Sequence, residues 1–334
     1  MTPRYAYTAA VTRPDTFGTA RGRRLDQLHL RDPFVLVERE ARRYWLYGTT
    51  DANPWQGPGT GFDAWWSLDL ETWQGPVAAF RPPPGFWAES NFWAPEVWLH
   101  GGRWVMLATF FSRGSGRGVQ TLVADRPAGP FVPLSQGPLT PPDWECLDGT
   151  LHVDPDGVPW LVFCHEWLQV DDGRMCALPL TPELDRAAGE PVELFRASSA
   201  PWVLPIQERH HFLTDGPFLH RTAAGVLLLL WTSNGRRGYV VGLARSATGE
   251  LRGPWQHRQR PLNRGDGGHC MLFRSLGGRL MMALHAPNRS PLERPRLLRV
   301  DELEDDLQLT PRSAAGGWWR RLRARVAPGR GDWG

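Results

Sequence analysis

The sequence predicts an all-β protein, a five-bladed β-propeller in which each blade is a four-stranded antiparallel sheet. Three observations predict this fold. Five segments repeat one pattern, shorter repeats lie between them, and helical periodicity is weak along the whole chain. A four-stranded unit cannot bury both of its faces alone, so five such units are expected to stack side by side and close a ring.

The five longer repeats are predicted to form the two inner strands of each blade. Each repeat opens on a polar or charged residue, continues into a short apolar strand, turns, and returns as a second apolar or aromatic strand. They occupy 31–50, 93–112, 147–167, 214–233 and 267–288.

The shorter repeats are predicted to form the outer strands. Each reads as a strand, a polar turn and a second strand, and the segment "VDELEDDLQL" is the one candidate for either an outer strand or a helix. These segments occupy 67–80, 123–134, 177–195, 243–258 and 300–309. Either the strand "YAYTAAV" at 5–11 or the C-terminal tail is expected to pair with the last blade and seal the ring.

The propeller is predicted to span 1–310, followed by a basic C-terminal tail over 311–334. The tail contains "WWRRLRARVAPGRG" at 318–331. A solvated, flexible terminus is the favoured interpretation, and contact with an anionic surface is the alternative. The formal net charge of +3 is too small to indicate a nucleic-acid partner.

The remaining bulk features predict a cytoplasmic protein of unknown oligomeric state. The first residues, "MTPRYAYTAAVTRPDTFG", lack the apolar core of a signal peptide, and no apolar stretch is long enough to predict a membrane span. The four cysteines show no C-x-x-C spacing, so free, buried thiols in a reducing compartment are expected.

The residues that open the repeats form the candidate site. In a propeller the innermost strands all begin on one face near the axis, so Asp32, Trp93, Asp148, Asp215 and His269 are expected to converge there. A single aspartate at such a place usually caps a turn. Three carboxyl groups gathered around one axis are costly to desolvate, which indicates a functional site.

The ordered motifs "RDPF", "FWAPEVWLHGGRW", "LDGTLHVDPDGVPWLVF", "TDGPFL" and "GGHCMLF" resemble glycoside hydrolase family 43 over about residues 28–290. The resemblance implies a five-bladed propeller that hydrolyses α-L-arabinofuranosyl or β-D-xylosyl linkages with inversion at the anomeric carbon. Its partner would be a plant-type oligosaccharide substrate, with neither nucleic acid nor membrane involved.

The resemblance also implies roles for individual residues. Asp32 matches the general base that activates water, and Asp148 matches the aspartate that orients the acid and tunes its pKa. Asp215 stands where the family has its acid glutamate. His269 matches the histidine that faces a central Ca²⁺ through waters, which makes it both a metal-facing and a substrate-facing residue. Trp93 matches the tryptophan that begins the blade-two motif.

Aspartate at position 215 departs from the family pattern, and three interpretations stay open. Asp215 is the acid and the backbone lies closer to the substrate, or Glu166 in "FCHEW", beside His165, supplies the proton. In the third, the site binds sugar but turns it over poorly or not at all. Inversion needs the acid and the base about 6.5–9.5 Å apart, so that a water fits between base and sugar.

Three aromatic residues are candidates for sugar binding. Trp93 and Phe92 would stack on a ring at the funnel mouth, although packing under blade two is a comparable alternative. Trp202, in "SSAPWVLPI", lies on a proline-flanked loop of the kind that shapes a binding subsite. The alternative function is a non-catalytic sugar-binding or protein-interaction propeller.

Overall fold

The computed structural model describes residues 22–206 and 211–310, and in these ranges twenty strands form five four-stranded antiparallel sheets. The predicted five-bladed propeller is therefore confirmed. The strand expected at 5–11 and the tail over 311–334 lie outside the described residues. Within those ranges, no helix combines the length and the apolar character that crossing a bilayer requires.

Each blade is built from one uninterrupted segment of chain, and its strands lie side by side in sequence order. Blade 1 contains β1 (Arg31–Glu38), β2 (Arg43–Thr49), β3 (Phe62–Ser67) and β4 (Gln74–Phe80). Blade 2 contains β5 (Ser90–His100), β6 (Arg103–Ser112), β7 (Gly116–Ala124) and β8 (Val132–Pro133). Blade 3 contains β9 (Cys146–Val153), β10 (Pro159–His165), β11 (Arg174–Pro179) and β12 (Val192–Arg196).

Blade 4 contains β13 (Asp215–Arg221), β14 (Leu227–Gly235), β15 (Gly238–Ser246) and β16 (Trp255–His257). Blade 5 contains β17 (Gly268–Arg274), β18 (Leu280–Ala286), β19 (Arg294–Glu302) and β20 (Leu307–Leu309). Helical structure in the described ranges is limited to α1 (Trp167–Val170) and two short 3₁₀ turns. The segment 300–309 thus forms outer strands and not a helix.

Blades 1 and 5 meet through side chains. The buried Arg31 donates from Nη1 to Glu293 Oε1 at 2.7 Å, and Arg294 Nε donates to the carbonyl of Asp26 at 3.1 Å. Glu293 is fully buried, and contacts with His29 and then Arg31 lower its pKa to about 2 although burial alone would raise it. Opposite charges on blades 1 and 5 therefore hold this junction closed.

Two aromatic residues that were predicted to bind sugar belong to the core instead. Phe92 is completely buried among phenylalanines between blades 1 and 2, with its ring centroid 4.9 Å from that of Phe110. Trp202 is 7% exposed and packs on Trp231 at 5.1 Å. A Cβ atom at Gly242 would approach the Trp202 ring to 2.1 Å, so the indole fills space that this glycine leaves. Both predictions are wrong because apolar packing claims these faces.

The first strand of every blade begins with the same irregularity. A residue there has a positive φ between 47° and 57°, and the pairing with the second strand slips at this point; β5 contains a further one, Asn91. The five residues are Asp32, Ala94, Asp148, Gly216 and His269. A left-handed conformation is uncommon outside glycine, and aspartate and histidine tolerate it better than most residues.

At three junctions, the backbone N–H of this residue donates to a threonine hydroxyl on the second strand of the preceding blade. The donor and acceptor residues are Ala94 and Thr49, Asp148 and Thr109, and His269 and Thr232, each pair at 2.9 Å. These bonds satisfy a buried donor that the irregular pairing leaves free, and they tie each blade to its neighbour.

The other two junctions use different acceptors. The N–H of Asp32 donates to His285 Nδ1 at 3.2 Å, and the N–H of Gly216 donates to Asp148 Oδ2 at 2.9 Å. On the second strand of blade 3, Cys164 occupies the position that threonine occupies in blades 1, 2 and 4. The carboxylate of Asp148 accepts the bond there.

Candidate active site

Asp32, Asp148 and His269 meet at the axis, as the sequence predicted. The imidazole Nδ1 of His269 lies 3.3 Å from Asp32 Oδ1 and 3.5 Å from Asp148 Oδ2. All three residues are buried, and all three carry the positive φ at the start of their blade. The irregularity of the first strand therefore aims these side chains at one another.

Asp32 is held as a carboxylate. Thr49 Oγ1 donates to its Oδ2 at 2.6 Å, and its own N–H donates to His285 Nδ1. Burial opposes its ionisation, but the charges of His269 and Arg31 outweigh burial and leave its pKa below the ordinary value. Burial, followed by the charge of Arg31, lowers the pKa of His285 to about 3, so this ring is a neutral acceptor.

Asp148 has the opposite tendency. Burial raises its pKa, the nearby charge of Asp32 raises it further, and His269 with the Gly216 N–H only partly offsets this. Its Oδ2 accepts the Gly216 N–H at 2.9 Å, so Asp148 is linked directly to the backbone that carries Asp215. A charge on Asp148 therefore raises the pKa of the nearby Asp215.

Asp215 is held so that its protonated form is favoured. Burial raises the pKa of Asp215 well above its ordinary value, and the charges of Asp148 and Glu166 add to this. The Tyr239 hydroxyl donates to its Oδ2 at 2.8 Å. A Cβ atom at Gly216 would approach His269 to 2.8 Å, so only glycine lets the imidazole lie over the chain beside Asp215.

Glu166, the second candidate for the acid, is buried close to Asp148 and Asp215. Burial raises the pKa of Glu166 to about 7 although the Arg117 guanidinium opposes this, and Arg117 Nη1 donates to its Oε2 at 3.0 Å. His165 does not accompany it. Its ring stacks on Trp144 at 4.2 Å and bonds Gln169.

Trp93 lies at the mouth of the site. It is half-buried, its indole N–H donates to the carbonyl of Pro54 at 2.7 Å, and the Arg117 guanidinium lies 4.9 Å from its ring centroid. Trp55 contacts it at 5.3 Å between ring centroids. The substrate-facing position of Trp93 stays a prediction, since these contacts are all to other residues of the chain.

The register of the strands corrects one expectation about the repeat. Trp93 and Asp215 each precede the positive-φ residue of their blade, whereas Asp32, Asp148 and His269 are that residue. The five opening residues therefore occupy two adjacent positions of the strand register, not one. Because neighbouring residues of a strand point in different directions, Asp215 approaches the site from another side than Asp32 does.

Metal binding by protein side chains alone finds no support in the described ranges, where no group of three or more His, Cys, Asp and Glu side chains could hold an ion. His269 directs Nδ1 at two carboxylates, which leaves one imidazole nitrogen for any further partner. Ca²⁺ prefers six to eight oxygen ligands. These residues therefore do not fit direct binding of calcium, and the water-mediated ion at His269 stays a prediction.

Several residues of the site were not foreseen from the sequence. Tyr239, Arg117, Arg31 and His285 all contact predicted site residues. Tyr239 and Arg117 lie near the start of third strands, before the shorter repeats at 123–134 and 243–258 begin. The threonines that accept the blade-to-blade bonds do carry a signal, because a threonine near the end of the second strand recurs in "YGTT", "LATFF" and "LWTS".

The chain is similar to proteins of known family. The family model described as "Glycosyl hydrolases family 43" matches residues 26–306. An endo-arabinase from Bacteroides thetaiotaomicron VPI-5482, known from its crystal structure, has 38% sequence identity to this chain. The match covers 86% of this chain and 99% of that chain, with a TM-score of 0.80. No curated protein matches the chain.

Two more distant structures share the fold. An endo-1,4-beta-xylanase from Bacteroides thetaiotaomicron VPI-5482 is 24% identical, with 85% of this chain and 95% of that chain covered and a TM-score of 0.69. An exo-1,5-alpha-L-arabinanase from a bovine ruminal metagenomic library is 16% identical, with 85% and 97% covered and a TM-score of 0.63.

Proposed function

The chain belongs to glycosyl hydrolases family 43, and from this premise we propose that it cleaves α-L-arabinofuranosyl or β-D-xylosyl linkages in plant-type oligosaccharides with inversion. It is a glycoside hydrolase by family. The observation that carries the mechanism is the opposite tendency of two carboxyl groups at one axis: the pKa of Asp32 is lowered and that of Asp215 is raised. Such a pair assigns base and acid roles.

Asp32 is the general base in this proposal. Its carboxylate is kept ionised by His269 and Arg31, and the Thr49 hydroxyl fixes its orientation. An ionised, oriented carboxylate accepts a proton from the water that attacks the anomeric carbon. The water stands between Asp32 and the sugar, on the face opposite to the leaving oxygen.

Asp215 is the general acid. Its carboxyl group holds a proton because it is buried and because Asp148 and Glu166 are close, and the Tyr239 hydroxyl orients it. Asp148 orients this acid through the Gly216 N–H and raises its pKa by its own charge. The proton passes to the glycosidic oxygen as the bond to the anomeric carbon breaks.

Glu166 is the less favoured acid. Its Oε2 is paired with the Arg117 guanidinium at 3.0 Å, and a neighbouring cation stabilises the ionised form. The largest influences on the pKa of Asp215 are burial and the charges of Asp148 and Glu166, and all three raise it. Glu166 therefore contributes negative charge near Asp215 rather than the proton itself.

Arabinan-type oligosaccharides are the favoured substrates. The 38% identical relative is an endo-arabinase, and this identity extends over most of both chains. Xylosyl linkages stay in the proposal because the volume of the sugar pocket, and not sequence identity, decides which pentose binds.

The test is a screen of nitrophenyl pentosides, arabino-oligosaccharides and xylo-oligosaccharides, with the first-formed product anomer followed by NMR. Hydrolysis of a pentoside with an inverted product is expected. A retained anomer would contradict the roles of Asp32 and Asp215. Binding of oligosaccharides without hydrolysis of any pentoside would instead support the non-catalytic sugar-binding propeller.

A further inference from the structure

Trp55 is a large apolar side chain that stays 44% exposed on a loop with a fixed conformation. The loop, residues 50–61, joins β2 to β3. The Thr60 N–H donates to both carboxylate oxygens of Asp51, the Gly57 N–H donates to the Asn53 carbonyl at 3.0 Å, and the Gly59 N–H donates to the Glu89 carbonyl at 2.8 Å. These bonds fix the loop both within itself and against blade 2.

The same loop is anchored to the strand that bears a residue of the active site. Trp93 donates its indole N–H to the Pro54 carbonyl at 2.7 Å, and Asn91 Nδ2 donates to the same carbonyl at 3.3 Å. The Trp55 ring contacts the Trp93 ring at 5.3 Å with an interplanar angle of 66°. Trp55 is thereby placed on the rim of the funnel that contains the carboxyl groups.

A cation supports one face of the Trp55 indole. The Arg31 guanidinium lies 4.7 Å from the ring centroid, and Arg31 directly precedes the general base Asp32. Arg31 cannot move away, because it is buried and its Nη1 donates to Glu293 at 2.7 Å and to Asn288 at 2.9 Å. The ring is therefore held in place by Arg31 and Trp93, and 44% of the residue stays exposed.

We propose that the exposed part of the Trp55 indole binds a glycosyl unit of the oligosaccharide, adjacent to the unit cleaved between Asp32 and Asp215. This inference rests on the proposed function and assigns a specificity-determining residue to it. An exposed apolar side chain needs no explanation by itself. Here the indole is held in place before any ligand arrives, so stacking on the apolar face of a sugar ring loses little conformational entropy.

The experiment measures binding by calorimetry in a background that does not hydrolyse, Asp32→Asn. Arabino-oligosaccharides of two to five units are titrated, or the xylo-oligosaccharides if wild type hydrolyses those. Adding Trp55→Ala is expected to weaken binding of the longer chains about 10-fold while arabinose or xylose binding changes less than about 2-fold. Trp55→Phe is expected to restore part of the affinity.

The control is Leu99→Ala, which truncates a side chain that is 61% exposed near the far end of β5, the strand of Trp93. It should leave every affinity unchanged. Unchanged affinity for long chains in Trp55→Ala, or an equal loss for monosaccharides and long chains, overturns the assignment while the proposed function stands. If wild type neither binds nor hydrolyses any pentose oligosaccharide, both proposals fall. If Trp55→Ala does not fold, the affinity of Trp55→Phe for the longer chains is compared with that of the Asp32→Asn parent. Phenylalanine keeps an aromatic ring of smaller area, so this affinity should be lower than that of the parent, and an unchanged affinity overturns the assignment.

Discussion

Asp32 and Asp148 share one imidazole nitrogen, His269 Nδ1, which lies 3.3 Å from one carboxylate and 3.5 Å from the other. The two carboxyl groups nevertheless differ, because burial raises the pKa of Asp148 and the charge of Asp32 raises it further, whereas His269, Arg31 and the Thr49 hydroxyl outweigh burial at Asp32. Asp32 is therefore the more readily ionised of the two. The proposed roles of Asp32 as the base and Asp148 as the residue that tunes the acid depend on this difference.

Asp32→Asn should abolish hydrolysis and leave binding in place. The amide keeps the size of the side chain but cannot take a proton from water, so kcat is expected to fall about 1000-fold. Steady-state kinetics and calorimetry with oligosaccharides would measure the two effects. A variant that retains most of its kcat would remove Asp32 from the mechanism.

Asp215→Asn and Glu166→Gln should differ in how strongly their activity depends on the leaving group of the substrate. An activated aryl pentoside needs little protonation, so the variant that lacks the true acid keeps activity there and loses at least about 100-fold on a natural oligosaccharide. We expect this pattern for Asp215→Asn. The same pattern in Glu166→Gln would assign the proton to Glu166, and its absence in both would exclude both residues as the acid.

The pH profile of kcat/KM should have an acid limb set by Asp32 and an alkaline limb set by Asp215. Activity falls toward acid as Asp32 is protonated below its ordinary pKa, and toward alkali as Asp215 loses its proton well above its ordinary pKa.

Tyr239→Phe provides the test of the alkaline limb. It removes a hydrogen bond that favours the ionised form of Asp215, so the pKa of Asp215 should rise and this limb should move to higher pH. The acid limb should stay in place. Movement of the alkaline limb to lower pH would contradict the assignment.

Glu293→Gln should destabilise the protein at neutral pH. Arg31 would lose the carboxylate of a fully buried partner, a change that costs about 3 kcal/mol. The folded-state pKa of Glu293 is lowered to about 2 from 4.5, so its stabilisation is present above pH 4.5 and is lost as pH falls toward 2.

Urea unfolding across pH would measure this, with the exposed Glu250→Gln as the control. The difference in unfolding free energy between Glu293→Gln and wild type should shrink below pH 4.5. A difference that stays constant down to pH 2 would show that the charge of Glu293 does not hold blades 1 and 5 together.

Thr109→Val should affect stability and turnover together. It removes the acceptor of the Asp148 N–H in a fully buried position, which costs about 1–3 kcal/mol. Because Asp148 would lose the bond that holds its positive φ, kcat should also fall. Thr121→Val is the matched control. It loses a buried bond to the Leu184 carbonyl, away from the site. Equal losses of kcat in Thr109→Val and Thr121→Val would mean that the loss follows from removing a buried hydrogen bond anywhere in the protein, and not from the contact with Asp148.

Repeats in the sequence were enough to predict the ring and the meeting of Asp32, Asp148 and His269. Each blade needs the same apolar alternation, so the repeat appears in the primary structure. The one-residue offset of Asp215 and Trp93 was not predictable, because it depends on where pairing slips and not on residue type. Phe92 was misassigned for the same reason, since the slip decides which of two neighbouring aromatic residues enters the core.

Contacts between distant segments also escaped prediction. Arg117 of blade 2 contacts Glu166 of blade 3. Tyr239 contacts Asp215 from two strands away in the same sheet. The four cysteines are free and buried, as expected. The cytoplasmic location and the domain boundary at 310 stay predictions, because no described contact bears on them.

The junction between blades 3 and 4 differs from its counterparts in one respect that reaches beyond architecture. Threonine hydroxyls and a neutral histidine accept the corresponding backbone bond at the other four junctions, and neither changes charge near neutral pH. Here the acceptor is the ionisable Asp148. A change in the charge of Asp148 would therefore alter a hydrogen bond that joins blades 3 and 4, so a residue proposed for catalysis is also part of the closure of the ring.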